Sequence, residues 1–207
     1  MTTTLRLSGV PFPLEASDGS SWNAEEDATS LSVRALPKSD IFIDPRGGTQ
    51  MDAPAVLNAV TLLGTPPHGD FQFSARARVE FAATFDAAVL MVWISEKYWA
   101  KICFEYSPQK EPMVVTVVSR VVADDSNAFL VDGDHVWLRI SKIDGALAFH
   151  SSADGLVWTL VRFFALDGPG TARIGFEAQS PLGEGCSVTF DEIKFSSDRL
   201  ADLRTGV

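Results

Sequence analysis

The last third of the chain is written in a regular rhythm. Five runs follow one another at intervals of roughly ten residues: HVWLRISKI from His135, GALAFHSS from Gly145, LVWTLVRFF from Leu156, TARIGFEAQS from Thr171 and CSVTFDEIKFSS from Cys186. Within several of them apolar and polar residues alternate, which turns one face of an extended chain toward a core. Asp-Gly pairs at 132–133, 144–145, 154–155 and 167–168 fall mostly between the runs. Asp-Gly readily takes the positive φ values of a tight hairpin turn. Such short gaps cannot carry the long crossovers that parallel strands need. The rhythm therefore predicts an all-β, antiparallel sandwich or barrel.

The earlier chain continues the pattern. SLSVRAL (30–36), DFQFSARARVEF (70–81), AAVLMVWI (87–94), KICFEY (101–106) and MVVTVVSRVV (113–122) each read as a strand. Helical signals are confined to MDAPAVLNAV (51–60) and the tail SDRLADLRTGV (197–207), where Ser197 or Asp198 could cap a turn or two. No linker or composition break divides the chain. The expectation is a single domain over 1–207, with the sandwich at about 10–197 and a short C-terminal tail at 198–207.

Apolar residues make up 46% of the 207 residues, enough for a sizeable core. A formal net charge of −10 would repel a phosphate backbone, so no nucleic-acid partner is expected. The longest apolar run, AAVLMVWI, is too short to span a bilayer, and the N-terminus lacks a signal-like run. The expected location is cytoplasmic, with no membrane partner. Cys103 and Cys186 both sit in apolar runs, which suits reduced buried thiols; the spacing leaves a bridge between them open. His68, His135 and His150 lack metal-ligand spacing. Asp40, Asp44, Asp52, Asp124 and Asp125 could offer oxygen to Ca²⁺, but no EF-hand pattern organises them, and Asp40 and Asp44 read as turn caps flanking IFI. No phosphate loop or nucleophile elbow occurs, so neither metal nor cofactor is expected.

HSSADGLVWTLVR (150–162) is close to the Asp-box of sialidase propellers. It occurs once and is one residue short, whereas a propeller repeats its motif in each blade. The simpler reading is a hairpin turn in which Asp154 caps amides, Gly155 takes positive φ and Trp158 packs the next strand.

Several strings come in a recognisable order: DIFIDP (40–45), DAPAVL (52–57), GDFQFSARA (69–77), YWAKICFEYS (98–107), VVTVVSRVVADDSN (114–127), HSSADGLVWTLVRFF (150–164) and GFEAQSPLGEGCSVTFDEI (175–193). In that order they resemble the regulation-of-enolase-like family of unknown function. The family is similar in fold to the concanavalin A-like lectins and glucanases. The resemblance implies a jelly-roll sandwich of two antiparallel sheets, on whose concave sheet the superfamily commonly binds sugars. The glucanase motif Glu-x-Asp-x-(x)-Glu is absent.

Alternation places Lys101, Cys103 and Glu105 on one face of their strand, opposite Ile102, Phe104 and Tyr106. With Arg120, Glu177 and Gln179, plus Trp93 and Trp137 as indole platforms, they would form a polar face suited to a polyhydroxylated ligand. Lys101 beside Glu105 would lower the carboxyl pKa, which suits binding better than general-acid chemistry. The leading expectation is a non-catalytic binding module for a carbohydrate or other small polar ligand, contacted by Trp93, Lys101, Glu105, Arg120, Glu177 and Gln179. One alternative is a glycoside-acting enzyme using Glu105 and Glu177 as its two carboxyls. The other is a cytoplasmic regulatory domain that binds a protein partner.

Overall fold

The computed structural model describes residues 3–24, 28–47 and 52–207. Among the described residues, numbered along the chain, sixteen strands form two main sheets and one hairpin. The first sheet runs in the order β1 (Thr4–Leu5), β2 (Leu14–Ala16), β6 (Val60–Gly64), β15 (Arg173–Gln179), β8 (Ala87–Ser95), β9 (Tyr98–Tyr106), β10 (Pro112–Arg120), β11 (Val122–Leu130). The second runs β14 (Thr159–Phe164), β13 (Ala146–Ser152), β12 (His135–Ile143), β7 (Phe71–Glu80), β16 (Ser187–Ser196), β3 (Leu31–Arg34). The hairpin pairs β4 (Ile41–Ile43) with β5 (Ala55–Leu57). Every pairing is antiparallel, as in β8 with β9 and β12 with β13. The fold is an all-β sandwich of antiparallel sheets, one of the two forms expected from the strand rhythm and the jelly roll that the family resemblance implied.

The sheets meet through the apolar half of each alternation. Phe71, Phe73, Ala75, Ala77 and Val79 of β7 are buried, while the residues between them are not. Facing them are Leu90, Ile102, Phe104 and Phe176 of the first sheet. Phe176 sits at the centre, with ring centroids 5.2 Å from Phe73 and 4.7 Å from Phe190. Each such side chain contributes about 1.5–3 kcal/mol by leaving water.

The first sheet is also covered on its outer face. Ile41 and Ile43 from β4, with Ala53 and Ala59, pack on Leu63, Val89, Met91, Trp99, Cys103, Val115 and Val117. This second core explains why β8 and β10 read as continuous apolar runs. A strand buried on both faces has no polar half. Where β15 meets β6, Gly175 lets the backbones approach closely; a Cβ there would lie 2.0 Å from the Leu62 carbonyl oxygen.

Several boundaries differ from the sequence reading. Within 51–60, where a helical turn was expected, residues 55–57 form β5 and Val60 opens β6; Met51 lies outside the described residues. The C-terminal segment forms turns, with no helix. The run 113–122 breaks at Val121, which takes φ 81° and starts the return strand β11. The turn after β13 is built as expected: Asp154 Oδ1 accepts from the Leu156 and Val157 amides, both at 2.8 Å, and Gly155 has φ 74°. Trp158 does not pack a strand interior; the Arg139 guanidinium lies 4.2 Å over its ring.

Cys103 and Cys186 are free and buried. Burial raises the Cys103 thiol well above its ordinary range and pushes Cys186 up to about 12. Thiolate is the reactive form, so both should be inert in the native protein. A colourimetric disulfide reagent is expected to titrate neither thiol before unfolding and both afterwards. Rapid labelling of the native protein at neutral pH would show that the outer core around Cys103 or the main core around Cys186 opens readily.

Candidate functional site

The outer face of the first sheet carries a polar cluster inside its apolar cover. The register explains how it assembles. On β8, Ala87 lies between Glu105 of β9 and Gln179 of β15, and Val89 lies between Cys103 and Glu177. These short side chains leave the floor low. Lys101 lies opposite Met91, which in turn faces Gly175, so nothing on β15 blocks the lysine from reaching across β8. Its ammonium donates to Gln179 Oε1 at 2.6 Å and to Asp40 Oδ1 at 3.0 Å. Glu177 Oε1 lies 3.6 Å away, an ion-pair contact too long for a hydrogen bond. The Trp99 ring centroid lies 5.7 Å from the ammonium.

Asp40 is delivered by the covering hairpin. Its N–H donates to Asn58 Oδ1 at 3.0 Å, and the Asn58 Nδ2 donates to the Lys38 carbonyl at 3.2 Å. Gln179 is held from the other side, donating through Nε2 to the Phe85 carbonyl at 3.2 Å. The lysine is thus clamped between a sheet strand and the hairpin.

Burial sets the protonation states. Lys101 is 2% exposed and Glu177 0%. Desolvation pulls the Lys101 pKa down, but the Asp40 and Glu177 carboxylates outweigh it, so the ammonium stays charged with its pKa above the ordinary value. Desolvation raises Glu177 to about 7, against the opposing pull of Lys101. Glu105, 7% exposed, is raised to about 8 by the same cause. This reverses the lowering expected from the sequence. Proximity to Lys101 does lower the carboxyl, but removal from water counts for more. Asp125 is raised too, first by desolvation. Neither Glu177 oxygen accepts a hydrogen bond among the described residues.

A cavity of about 650 Å³ opens above this cluster. Lys101, Glu105, Gln179, Asp40, Asp125 and Asn127 supply polar lining, joined by the Asp44–Arg46 ion pair. Phe42, Val56, Phe85, Met113, Val117 and Leu182 supply apolar wall. Volume and mixed lining are those of a small-molecule site.

The structure brings together Lys101, Glu105, Glu177 and Gln179, but not all in one role. Glu177 lies beneath Lys101 and does not line the cavity. Trp93 shares this face, packed against the outer apolar cluster, yet it too is away from the cavity. Arg120 is a correction. It follows Thr116 and Val118 on the inward side of β10, and its guanidinium donates to the Ala165 carbonyl at 2.7 Å. Apolar alternation gave no polar half from which to choose the face of β10. Trp137 is on the second sheet, where its Nε1 donates to Glu192 Oε2 at 3.1 Å. Asp40 is an ion partner of Lys101, whereas Asp44 does cap a turn, accepting from the Arg46 amide at 2.9 Å. Asp124 pairs with Arg162 at 2.8 Å. Among the described residues no group of three or more His, Cys, Asp or Glu side chains could hold a metal ion.

The sequence reading missed Phe42, Phe85 and Asn127. Nothing local marks them; they reach the site through the hairpin, the turn before β8 and the edge strand β11.

Comparison with known proteins accords with this architecture. A family model described as "Protein of unknown function (DUF1349)" matches residues 18–198. "Regulation of enolase protein 1" of Saccharomyces cerevisiae is 30% identical over 170 residues, covering 81% of each chain. The crystal structure of a functionally unknown protein from Saccharomyces cerevisiae superposes with a TM-score of 0.71 at 21% identity, over 87% of this chain and 97% of that one. The GH43 protein BlXynB of Bacillus licheniformis gives a TM-score of 0.66 at 14% identity, over 90% of this chain but only 37% of its own. Both structural likenesses are of fold alone. No helix among the described residues is long and apolar enough to cross a membrane. From the match over residues 18–198 and the relative at 30% identity, the chain belongs to the DUF1349 family of proteins of unknown function.

Proposed function

We propose that the chain is a non-catalytic binding module whose cavity takes a small, neutral, hydroxyl-rich ligand such as a carbohydrate. The observation that carries the reading is Glu105. Its carboxyl is 7% exposed, lines the cavity and makes no hydrogen bond among the described residues. With its pKa raised to about 8, it is mostly protonated at neutral pH and can both donate and accept. Lys101, by contrast, already donates to Asp40 and Gln179 and has its charge paired by Asp40 and Glu177. A hydroxyl-rich ligand satisfies Glu105 without burying a new charge. Phe42 and Phe85 offer apolar faces for the C–H side of such a ligand.

The burial of Glu177 speaks against a two-carboxylate hydrolase. A general base must meet water or substrate, and Glu177 meets neither. A reducing compartment, and with it a cytoplasmic location, accords with the two free buried thiols.

Thermal shift against neutral mono- and oligosaccharides tests the reading. A ligand that binds only the native state raises the melting temperature. A saturable hit that disappears in Glu105→Ala, with the unliganded variant still folded, is expected. A hit unaffected by Glu105→Ala, or no hit across the library, would remove the cavity as a sugar site.

A second reading, a domain that binds a protein partner, has its own observation. Phe129, Leu130 and Val157 are exposed together along a groove of about 420 Å³ beside strands β11 and β14. The name of the yeast relative, a regulator of enolase, points the same way. Size-exclusion chromatography with purified enolase would show a co-eluting complex if this reading holds.

A further inference from the structure

A different site lies on the outer face of the second sheet. Arg139 of β12 is 5% exposed. Its guanidinium donates to Gln72 Oε1 at 3.1 Å and to the Gly206 carbonyl at 2.7 Å, and its Nε has no acceptor. No carboxylate lies within ion-pair distance of it among the described residues, unlike Arg76 on the same face, which is held by Asp191 at 2.6 Å. The guanidinium also lies 4.2 Å over the Trp158 ring, which lends it no counter-charge, and a buried charge without a counter-ion is costly. Arg139 lines a groove of about 210 Å³, with Gln72, Trp137, Trp158, Lys194 and Ser196 around it. Two indoles wall the groove and Lys194, exposed at its rim, adds a second positive charge.

We propose that this groove is an anion site, taking a small ligand whose carboxylate or phosphate pairs with Arg139 and whose flat apolar part lies against Trp137. The guanidinium supplies directional donors matched to an oxyanion, and a partly dry site strengthens the pairing. Gln72 and Ser196 are held by Asp198, Gln72 donating to its carbonyl at 3.0 Å and Ser196 to its Oδ2 at 2.7 Å, so they shape the groove while Arg139 and Lys194 supply its positive charge. Glu192, also on the groove, is engaged by Arg76 at 3.0 Å and by the Trp137 indole. The groove is on the opposite sheet from the Lys101 cavity, so the two proposals stand or fall separately.

Tryptophan fluorescence of the full chain reads the site directly, because two of its walls are indoles. Sodium glucuronate and glucose 6-phosphate are titrated at constant ionic strength, with glucose as the uncharged control. A saturable response to at least one anion and none to glucose is expected, and the arm that responds identifies the oxyanion. Arg139→Gln should weaken binding by about tenfold or more, the loss of one charge-assisted pair. Lys194→Glu, an exposed change that leaves packing alone, should weaken it as well and serves if Arg139→Gln fails to fold. Glu105→Ala should leave it intact. No saturation with either anion, an equal response to glucose, or unchanged affinity in Lys194→Glu would overturn the proposal.

Discussion

Lys101→Met is expected to destabilise the protein by about 3–5 kcal/mol at pH 7, the range for breaking a buried ion pair from one side. Methionine matches the length of the lysine stem, so little packing is lost. What is lost is the cation that holds Asp40 at 3.0 Å and Glu177 at 3.6 Å. Gln179 loses its 2.6 Å donor at the same time. Asp40 is partly exposed and can turn to water; Glu177 cannot, and must take up a proton or stay charged without a partner. The double variant Lys101→Met, Glu177→Gln should therefore recover part of the loss, giving a coupling energy of about 1–3 kcal/mol in a double-mutant cycle. Urea midpoints measure all three variants. If Lys101→Met falls within about 0.5 kcal/mol of the parent, the typical effect of a neutral surface change, the ammonium is not the tie between hairpin and sheet.

The tie itself could not be read from sequence, though its parts could. The face shared by Lys101, Cys103 and Glu105 followed from alternation in KICFEY, because Ile102 and Phe104 marked the core side. The same argument worked for Glu177 and Gln179 beside Phe176. It failed for Arg120, because MVVTVVSRVV is apolar on both faces, and a strand covered on both sides erases the signal that alternation depends on. What erased it was the β4–β5 hairpin, whose short strands come from a stretch that read as turn and helix. The hairpin also buries the face that looked like an open polar surface. That single event turned an expected lowering of the Glu105 pKa into a rise to about 8. Local pattern specified the sheet faces; the long-range cover set their dielectric. The sandwich was legible because hairpin rhythm is local, and the site chemistry was not, because burial is not.

The same burial predicts an unusual pH profile, with stability falling as pH rises above about 5. Glu177 and Glu105 have folded pKa values of about 7 and about 8, above the ordinary glutamate value of 4.5. Between the unfolded and folded values the native state holds protons that the unfolded chain has released. For each group the stabilisation is full below pH 4.5 and is lost as pH rises through the folded value. At 1.36 kcal/mol for each pKa unit, each carboxyl would withdraw on the order of 3–4 kcal/mol by pH 8, less for the pair because both feel Lys101. His150 works in the other direction over part of the range. Burial lowers it to about 4, so its contribution is present above pH 6.5 and is lost as pH falls toward 4. Two carboxyls against one imidazole leave the net slope downward from about pH 5 to pH 8. Glu177→Gln removes one of the ionisations while keeping the shape of the side chain, and Asp40 remains to hold Lys101. The variant is expected to be more stable than the parent at pH 8, by on the order of 2–3 kcal/mol, and to differ little from it at pH 5. Denaturation midpoints at the two pH values decide the matter. Equal behaviour of variant and parent at both would mean that Glu177 carries its charge in the native state at an ordinary pKa, and that water reaches the floor beneath Lys101.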